Sequence, residues 1–383
     1  MKKRLLATLL TLSMVSSMTA FQAVETFAEG SEATEDIGGY KIGFYFLPDS
    51  YAVAKQYKNA LNWIADLTNC EMVYYDMVST STEECITAHE SLISQGCDGI
   101  IFVSSSGGTG LFNMFDENQV YYVGMTRALT DEVAASTADS EYCAGWADER
   151  DGVSWYDAYA PMSVLAENGC KKVAYVSETP TSDLALERIR GVEDACEEYG
   201  MELVTSYEGS DHAAGTADIL ANYGEELDGI IGLMNGDACI AAIQSAGYGG
   251  KIKYAQADPP NDVASYMEAG LLTSTIAGNN AFIIQMYMQL FNAMSGAERM
   301  FTDGDKTFPI HRSILIDSVD AYKLCEEYVL QDSPGWTADE ALQFNSIYNP
   351  EFNVEEYEQI WKDRIEPEYW NIDSIVERID AAK

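Results

Sequence analysis

Positive charge is scarce in this 383-residue sequence: 22 lysines and arginines stand against 62 aspartates and glutamates, a formal net charge of −40. A chain so acidic repels polyanions, which excludes nucleic acid and anionic lipid surfaces as partners. Histidine is scarcer still, with only His89, His212 and His311, far apart in sequence. His89 lies in a helix-period segment and His212 opens another, where surface or capping roles are expected. The eight cysteines form no close CxxC pair and have no histidine cluster beside them, so no zinc site, other metal or cofactor is expected. Free buried thiols and one or two disulfides both fit their spacing. GxSxG, HExxH and GxxxxGK[ST] are all missing, and no catalytic residue is assigned. Composition alone leaves a two-carboxylate glycosidase open, since acid pairs abound.

Long apolar runs are absent too, so no membrane span is expected. Lys2, Lys3 and Arg4 lead into an apolar stretch from Leu5 to about Val15 and then small residues near Ala28. That layout predicts a cleaved secretory signal over 1–28 and a linker over 29–37. No cysteine precedes Cys70, which argues against a lipid anchor at the cleavage site. An exported protein is expected, periplasmic, released, or held at the cell surface by a partner.

What the sequence does contain is an internal repeat. Short apolar runs rich in β-formers alternate with helix-period segments, the pattern of βα units on parallel sheets. Strands are expected at 40–47, 71–78, 98–104, 120–125, 172–177, 201–207, 228–234, 252–256 and 271–277. Asp-Gly-Ile-Ile occurs at 98–101 and again at 228–231, and Lys41-Ile42-Gly43-Phe44-Tyr45 aligns with Lys172-Val173-Ala174-Tyr175-Val176 at nearly the same offset. Two Rossmann-like α/β lobes of one topology follow, joined by a hinge. The first lobe is read as 38–139 plus about 279–308, and the second as 140–278 plus about 309–322. An aromatic, acidic extension at 323–383 packs on them.

Ligands of such sheets bind beyond the carboxyl ends of the strands. Those positions carry Pro48 to Tyr51, Ser104 to Gly108, Thr126-Arg127, Glu178 to Asp183, Asn235 to Asp237 and Asp258. They are side chains that can satisfy a polyhydroxy ligand from several directions, with aromatics to stack on its apolar face.

With those residues in place, the chain resembles the type I periplasmic solute-binding proteins of ABC importers, especially their ribose- and galactose-binding branch, over about 38–320. In that family Pro-x-x-aromatic follows the first strand, here Pro48 and Tyr51. The family's Asp-Arg reads Thr126-Arg127, its Arg-x-x-Gly falls on Arg188 and Gly191, its Asn-x-Asp on Asn235 and Asp237, and its strand-end acid on Asp258. Its Ser-Asp at the first crossing resembles Ala138-Asp139, which makes Asp139 the expected hinge. Thr275-Ile276-Ala277-Gly278 replaces Thr-Ile-Ala-Gln, so the cleft glutamine is missing and Asn279 or Asn280 takes its place. The ligand set implied is Tyr51, Ser105, Arg127, Arg188, Asn235, Asp258 and Asn279. The resemblance implies a monomeric receptor that hands a small polar solute, a sugar foremost, to an ABC permease. A sensor or chemotaxis subunit is the alternative, and a nucleoside or other metabolite the alternative ligand.

Overall fold

The computed structural model describes residues 37–383 apart from 80, 105, 151, 332 and 333, so the expected signal 1–28 and the site candidate Ser105 lie outside the described residues. Among the described residues twelve strands form two six-stranded sheets. In chain order they are β1 (Lys41–Phe46), β2 (Glu71–Asp76), β3 (Gly99–Phe102), β4 (Tyr121–Met125), β5 (Cys143–Asp148), β6 (Lys172–Ser177), β7 (Glu202–Glu208), β8 (Gly229–Gly232), β9 (Lys253–Gln256), β10 (Ser274–Ala277), β11 (Thr307–Pro309) and β12 (Ile314–Ile316). The first sheet runs β11-β5-β4-β3-β1-β2 and the second β12-β10-β9-β8-β6-β7. Every neighbouring pair is parallel except β10 with β12.

The repeated tetrapeptide performs one task twice. Its glycine and two isoleucines form the buried strands β3 and β8. Its aspartate stays outside and ties the sheet together: Asp98 Oδ2 accepts from the backbone N–H of Lys41 at 2.8 Å, and Asp228 Oδ2 from that of Lys172 at 2.9 Å. Each carboxylate locks the start of the neighbouring strand in register with its own.

Helices flank both faces because their apolar stripes match the sheets. Helix Ala52–Leu67 buries Ala54, Tyr57, Ala60, Leu61, Ile64 and Ala65 at helical spacing. Helix Asp183–Tyr199 is capped by Ser182, whose side chain accepts from Ala185 N–H, and ends at Gly200 in the left-handed conformation. Its buried stripe is Ala185, Arg188, Gly191, Val192, Ala195 and Cys196, an arginine among apolar residues.

Among the described residues the chain crosses between the lobes at 149–150, 278–282 and 310–313. The first crossing lies later than expected. β5 pairs with β4 and β11, so residues 140–148 belong to the first lobe, and Asp139 is an exposed turn residue ahead of β5. Ala-Asp occurs at both 138–139 and 147–148, and only the second copy ends the last strand before the crossing.

The segment 323–383 packs against the second and third crossings. Trp336 Nε1 donates to Ala281 O at 3.2 Å, and Trp361 Nε1 to Pro309 O at 2.7 Å. Trp370 stacks on His311 with ring centroids 3.8 Å apart. Asn280 Nδ2 donates to Val329 O at 3.3 Å, and Asn345 Nδ2 to Asn292 Oδ1 at 3.0 Å. Trp336, Phe344, Trp361 and Trp370 are all buried, each worth about 1.5–3 kcal/mol in removed apolar surface.

All eight cysteines are free, seven of them buried, and burial pushes thiols such as Cys85 and Cys97 up to about 11, which leaves them unreactive. His89 corrects an expectation. It is not a surface residue but sits inside an aromatic nest of Tyr45, Phe102 and Phe115, with Nδ1 2.6 Å from Cys85 O. Burial pushes both His89 and His311 down to about 4. A histidine held neutral in the fold but chargeable once unfolded contributes stability that is complete above the unfolded value of about 6.5 and is lost as pH falls through about 4. The urea midpoint is therefore expected to drop between pH 7 and 4.5, and His89→Phe should remove one share of that drop.

Candidate functional site

In each sheet the strand order reverses beside its first strand, between β1 and β3 and again between β6 and β8, the place where ligands of such sheets bind, beyond the carboxyl ends. The polar groups that line these ends meet where the lobes approach. A cavity is bounded by Arg127, Glu149 and Arg150 on one side and by Asp183, Leu184 and Glu187 of the second lobe on the other.

Arg127 follows β4, and its guanidinium grips Glu149 of the first crossing. Nε donates to Oε1 at 2.8 Å and to Oε2 at 3.0 Å, and Nη2 also reaches Oε2. The acid missing from the Asp-Arg pair thus comes from another part of the chain. Thr126 helps place it, its Oγ1 accepting from Glu149 N–H at 3.3 Å. Burial works against the charge of Arg127, but Glu149 outweighs it and raises the guanidinium further.

Arg188 answers from the second lobe. Nη2 donates to Asp258 Oδ1 at 2.7 Å and to Asp157 Oδ2 at 3.3 Å, while Nη1 donates to Asp258 Oδ2 at 2.9 Å and to Leu233 O at 2.8 Å. Asp157 reaches Arg188 because two helices meet without clearance. A Cβ on Gly191 would lie 2.3 Å from Trp155 O, so only glycine admits the close approach of helix Val153–Glu167 to helix Asp183–Tyr199. The other Asp157 oxygen accepts from Ser313 Oγ, 2.7 Å away on the third crossing. Burial pushes Asp157 up to about 6, against the pull of Arg188 and Ser313. The side chains of Arg188 and Asp157 are 5% and 6% exposed and that of Asp258 35%, so Asp258 is the member of the triad presented to solvent.

The two groups share one electrostatic environment. Tyr57, on the first-lobe helix, is raised by burial and feels Arg127, Glu149, Asp157 and Asp258. The charge of Arg188 opposes that of Arg127 without cancelling the net rise that Glu149 brings about.

The remaining candidates are placed separately. Asn235 takes a left-handed conformation, φ 52, at the end of β8, and its Nδ2 donates to His212 Nδ1 at 2.7 Å. His212 is itself buried in the first turn of helix His212–Tyr223, the cap being Asp211. Tyr51 stands 52% exposed where helix Ala52–Leu67 begins, with Val78 on the same lobe and Leu186 on the other also exposed. Asp237 accepts from Asn261 and from Tyr266, as a first-turn acid. Position 278 has no room for a glutamine: Gly278 has φ 74, and a Cβ there would meet Ile314 Cδ1 at 2.9 Å. Asn280 is buried, its Nδ2 donating to Val329 O and its Oδ1 left without a partner, and the side chain of Asn279 lies outside the described residues. Sequence reasoning passed over Glu149, Asp157, Tyr57 and Ser313. The one signal available was an acid within the apolar helix Val153–Glu167 and a basic residue within the apolar stripe of its neighbour.

Among the described residues no helix is long and apolar enough to cross a membrane, and no group of three or more histidine, cysteine or acid side chains is placed to hold a metal ion. No curated protein matches the sequence. Solved structures do match the fold. An ABC transporter periplasmic solute binding protein from Actinobacillus succinogenes with bound D-allose aligns at TM-score 0.59 and 17% identity, over 73% of this chain and 97% of that one. A periplasmic ribose ABC transporter structure from Conexibacter woesei gives 0.59 and 16%, over 76% and 96%. A solute binding protein from Bacillus halodurans with bound myo-inositol gives 0.55 and 16%, over 76% and 99%. At such identities the likeness establishes the fold, two α/β lobes of the type I kind. The periplasmic binding protein domain model matches residues 44–298, well over half of the sequence, and the chain belongs to that family of solute-binding proteins.

Proposed function

We propose that this protein is an extracytoplasmic receptor that captures a small neutral polyhydroxy solute, a sugar foremost, between its lobes, performs no chemistry on it and delivers it to an ABC importer. The observation that carries this reading is the presentation of Asp258: a carboxylate half-turned to solvent at a strand end, held in both oxygens by a buried arginine. An acceptor so fixed suits paired hydroxyls of a sugar ring. Tyr51, Arg127 and Asn235 supply further stacking and hydrogen-bonding groups, and Arg188 acts mainly from beneath, by fixing Asp258. Tyr51, Val78 and Leu186 leave apolar surface exposed near the strand ends, surface that lobe closure over a sugar face can cover. The ligand stabilises the closed arrangement by contacting both lobes at once. The fold relatives with D-allose and myo-inositol in place support the same ligand class. In this reading the hinge lies at 149–150, 278–282 and 310–313 and not at Asp139, which precedes β5 of the first sheet.

A thermal-shift screen of the ligand-stripped protein against pentoses, hexoses, cyclitols, nucleosides and amino acids, followed by calorimetry, tests the reading. A saturable shift with a sugar or cyclitol and no product formed is expected. A response to nucleosides or amino acids alone overturns the sugar, and turnover of any compound overturns the receptor. Asp258→Ala is expected to weaken the sugar by about 1–3 kcal/mol, the value of a hydrogen bond to a charged group, and undiminished affinity in that variant would remove Asp258 from the site.

A further inference from the structure

A second cavity lies under the extension, about 370 Å³ against about 240 Å³ for the one between the lobes. It is bounded by Asp148 and Pro309, the last residues of β5 and β11, by Arg312, and by Ile365, Glu366 and Pro367 of the extension. None of the residues that border it borders the interlobe cavity.

Burial alternates along 311–313. His311 and Ser313 are buried, the one against Trp370 and the other on Asp157, while Arg312 between them is only half-buried. Its guanidinium lies over the ring of Tyr156, 5.4 Å from the centroid, and beside Gly152, where a Cβ would come within 3.3 Å of Nη2. A ring face attracts the charge but offers the N–H groups no acceptor atom. Among the described residues no carboxylate pairs with Arg312, in a chain where acids outnumber bases 62 to 22. Glu366 borders the same cavity, exposed, its carboxylate likewise without a partner among the described residues. Its backbone is nonetheless fixed. Glu366 O accepts from the N–H groups of Trp370 at 2.8 Å and Tyr369 at 3.0 Å, and the tryptophans to either side are anchored, Trp361 on Pro309 O and Trp370 on the His311 ring. The other acid, Asp148, is already taken up by Arg150, whose backbone N–H donates to Oδ1 at 3.0 Å and Nε at 3.1 Å. The cavity therefore holds one unanswered cation and one unanswered anion, on parts of the chain more than fifty residues apart.

We infer that this cavity is a second ligand site, separate from the interlobe cleft, which takes a small zwitterion of the α-amino acid class with its carboxylate on Arg312 and its ammonium on Glu366. A planar guanidinium with all its donors open suits a carboxylate at two points. A neutral sugar leaves both charges unanswered, and a simple anion or amine answers one while meeting like charge in the other. The bracketed position of Glu366 means that little ordering is needed for the ligand to be held. The site owes nothing to the sugar reading, since it shares no residue with the cleft.

Calorimetry on the full chain with glycine, L-alanine and L-serine, and with acetate and ethylamine as single-charge controls at matched ionic strength, tests the inference. Saturable binding of at least one amino acid is expected, tighter than that of acetate or ethylamine. Arg312→Gln should weaken it about ten- to a hundredfold, as loss of a charged hydrogen-bonded contact does, and Glu366→Gln about two- to fivefold, as loss of an exposed charge does. Asp258→Ala should leave it unchanged. Glu366→Gln alters only an exposed side chain, so the test holds even if thermal melting shows Arg312→Gln to be misfolded. Absence of saturable binding by all three amino acids overturns the site. So does binding that is lost in Asp258→Ala and kept in Glu366→Gln, which places the amino acid in the cleft. Acetate binding as tight as glycine, with Glu366→Gln without effect on either, overturns the zwitterion. Failure of every sugar to bind, with the amino acid response and its dependence on Glu366 intact, overturns the sugar reading and supports this site.

Discussion

Arg188→Ala is expected to abolish the proposed sugar binding and to lower the stability of the fold by about 3–5 kcal/mol, the cost of leaving a buried charge without its partner. The loss is large because Arg188 serves two carboxylates and a carbonyl at once. Its removal strands Asp157 in the interior, where burial already pushes that acid up to about 6, and releases Asp258 from the geometry that the proposed role of ligand acceptor requires. Part of the stability is expected to return in Arg188→Ala combined with Asp157→Asn, because the stranded charge is then gone, while binding stays lost. Urea unfolding and calorimetry on the single and double variants distinguish the two effects. Undiminished stability in Arg188→Ala would mean that the triad is solvated in solution and does not form a closed network.

Removing 334–383 is expected to leave a chain that no longer folds stably. The truncation strips away Trp336, Phe344, Trp361 and Trp370, all buried, and with them the indole donors to Ala281 O and Pro309 O. It bares the crossings 278–282 and 310–313 together with His311, whose ring lies against Trp370. A single substitution tests the same contact more gently: Trp370→Ala should cost about 3–5 kcal/mol, as large-to-small changes of buried aromatics do. Thermal melting and size-exclusion chromatography provide the measurements. A truncated chain that melts cooperatively near the full-length protein would show that the extension is an addition to a self-sufficient core.

Much of the architecture was legible because its physical basis is local. A parallel strand buried on both faces must be a short apolar run, so β1, β3, β4, β6, β8 and β9 stand out in the sequence. The repeated Asp-Gly-Ile-Ile marked both lobes because one local arrangement, an aspartate bonding the neighbouring strand's first N–H, was needed in each. β5, β11 and β12 escaped notice for the opposite reason. Cys143–Asp148 has a glycine with φ 140 and a tryptophan among small residues, while β11 and β12 have three residues each, too few for a period to register. Missing β5 moved the expected crossing forward to Asp139, since an Ala-Asp pair is too short a signature to choose between the copies at 138–139 and 147–148.

The site divides along the same line. That Arg127, Asn235 and Asp258 follow strand ends could be read directly, because in an α/β sheet position along the chain fixes which end of the sheet a residue occupies, whereas Arg188, inside a helix, was implied only by the family resemblance. What each one bonds to could not. Arg127 finds its acid 22 residues later on a crossing, and Arg188 finds Asp258 70 residues away. The sequence by itself determined two lobes of one topology, the ends of the sheets where polar groups gather, and an acidic surface that turns polyanions away. The tertiary structure alone decided that Glu149 replaces a missing neighbour, that a glycine contact brings Asp157 under Arg188, and that the extension braces the crossings. Strand and helix periods are set by neighbours in the chain, whereas ion pairs and tryptophan contacts are set by which surfaces meet after folding.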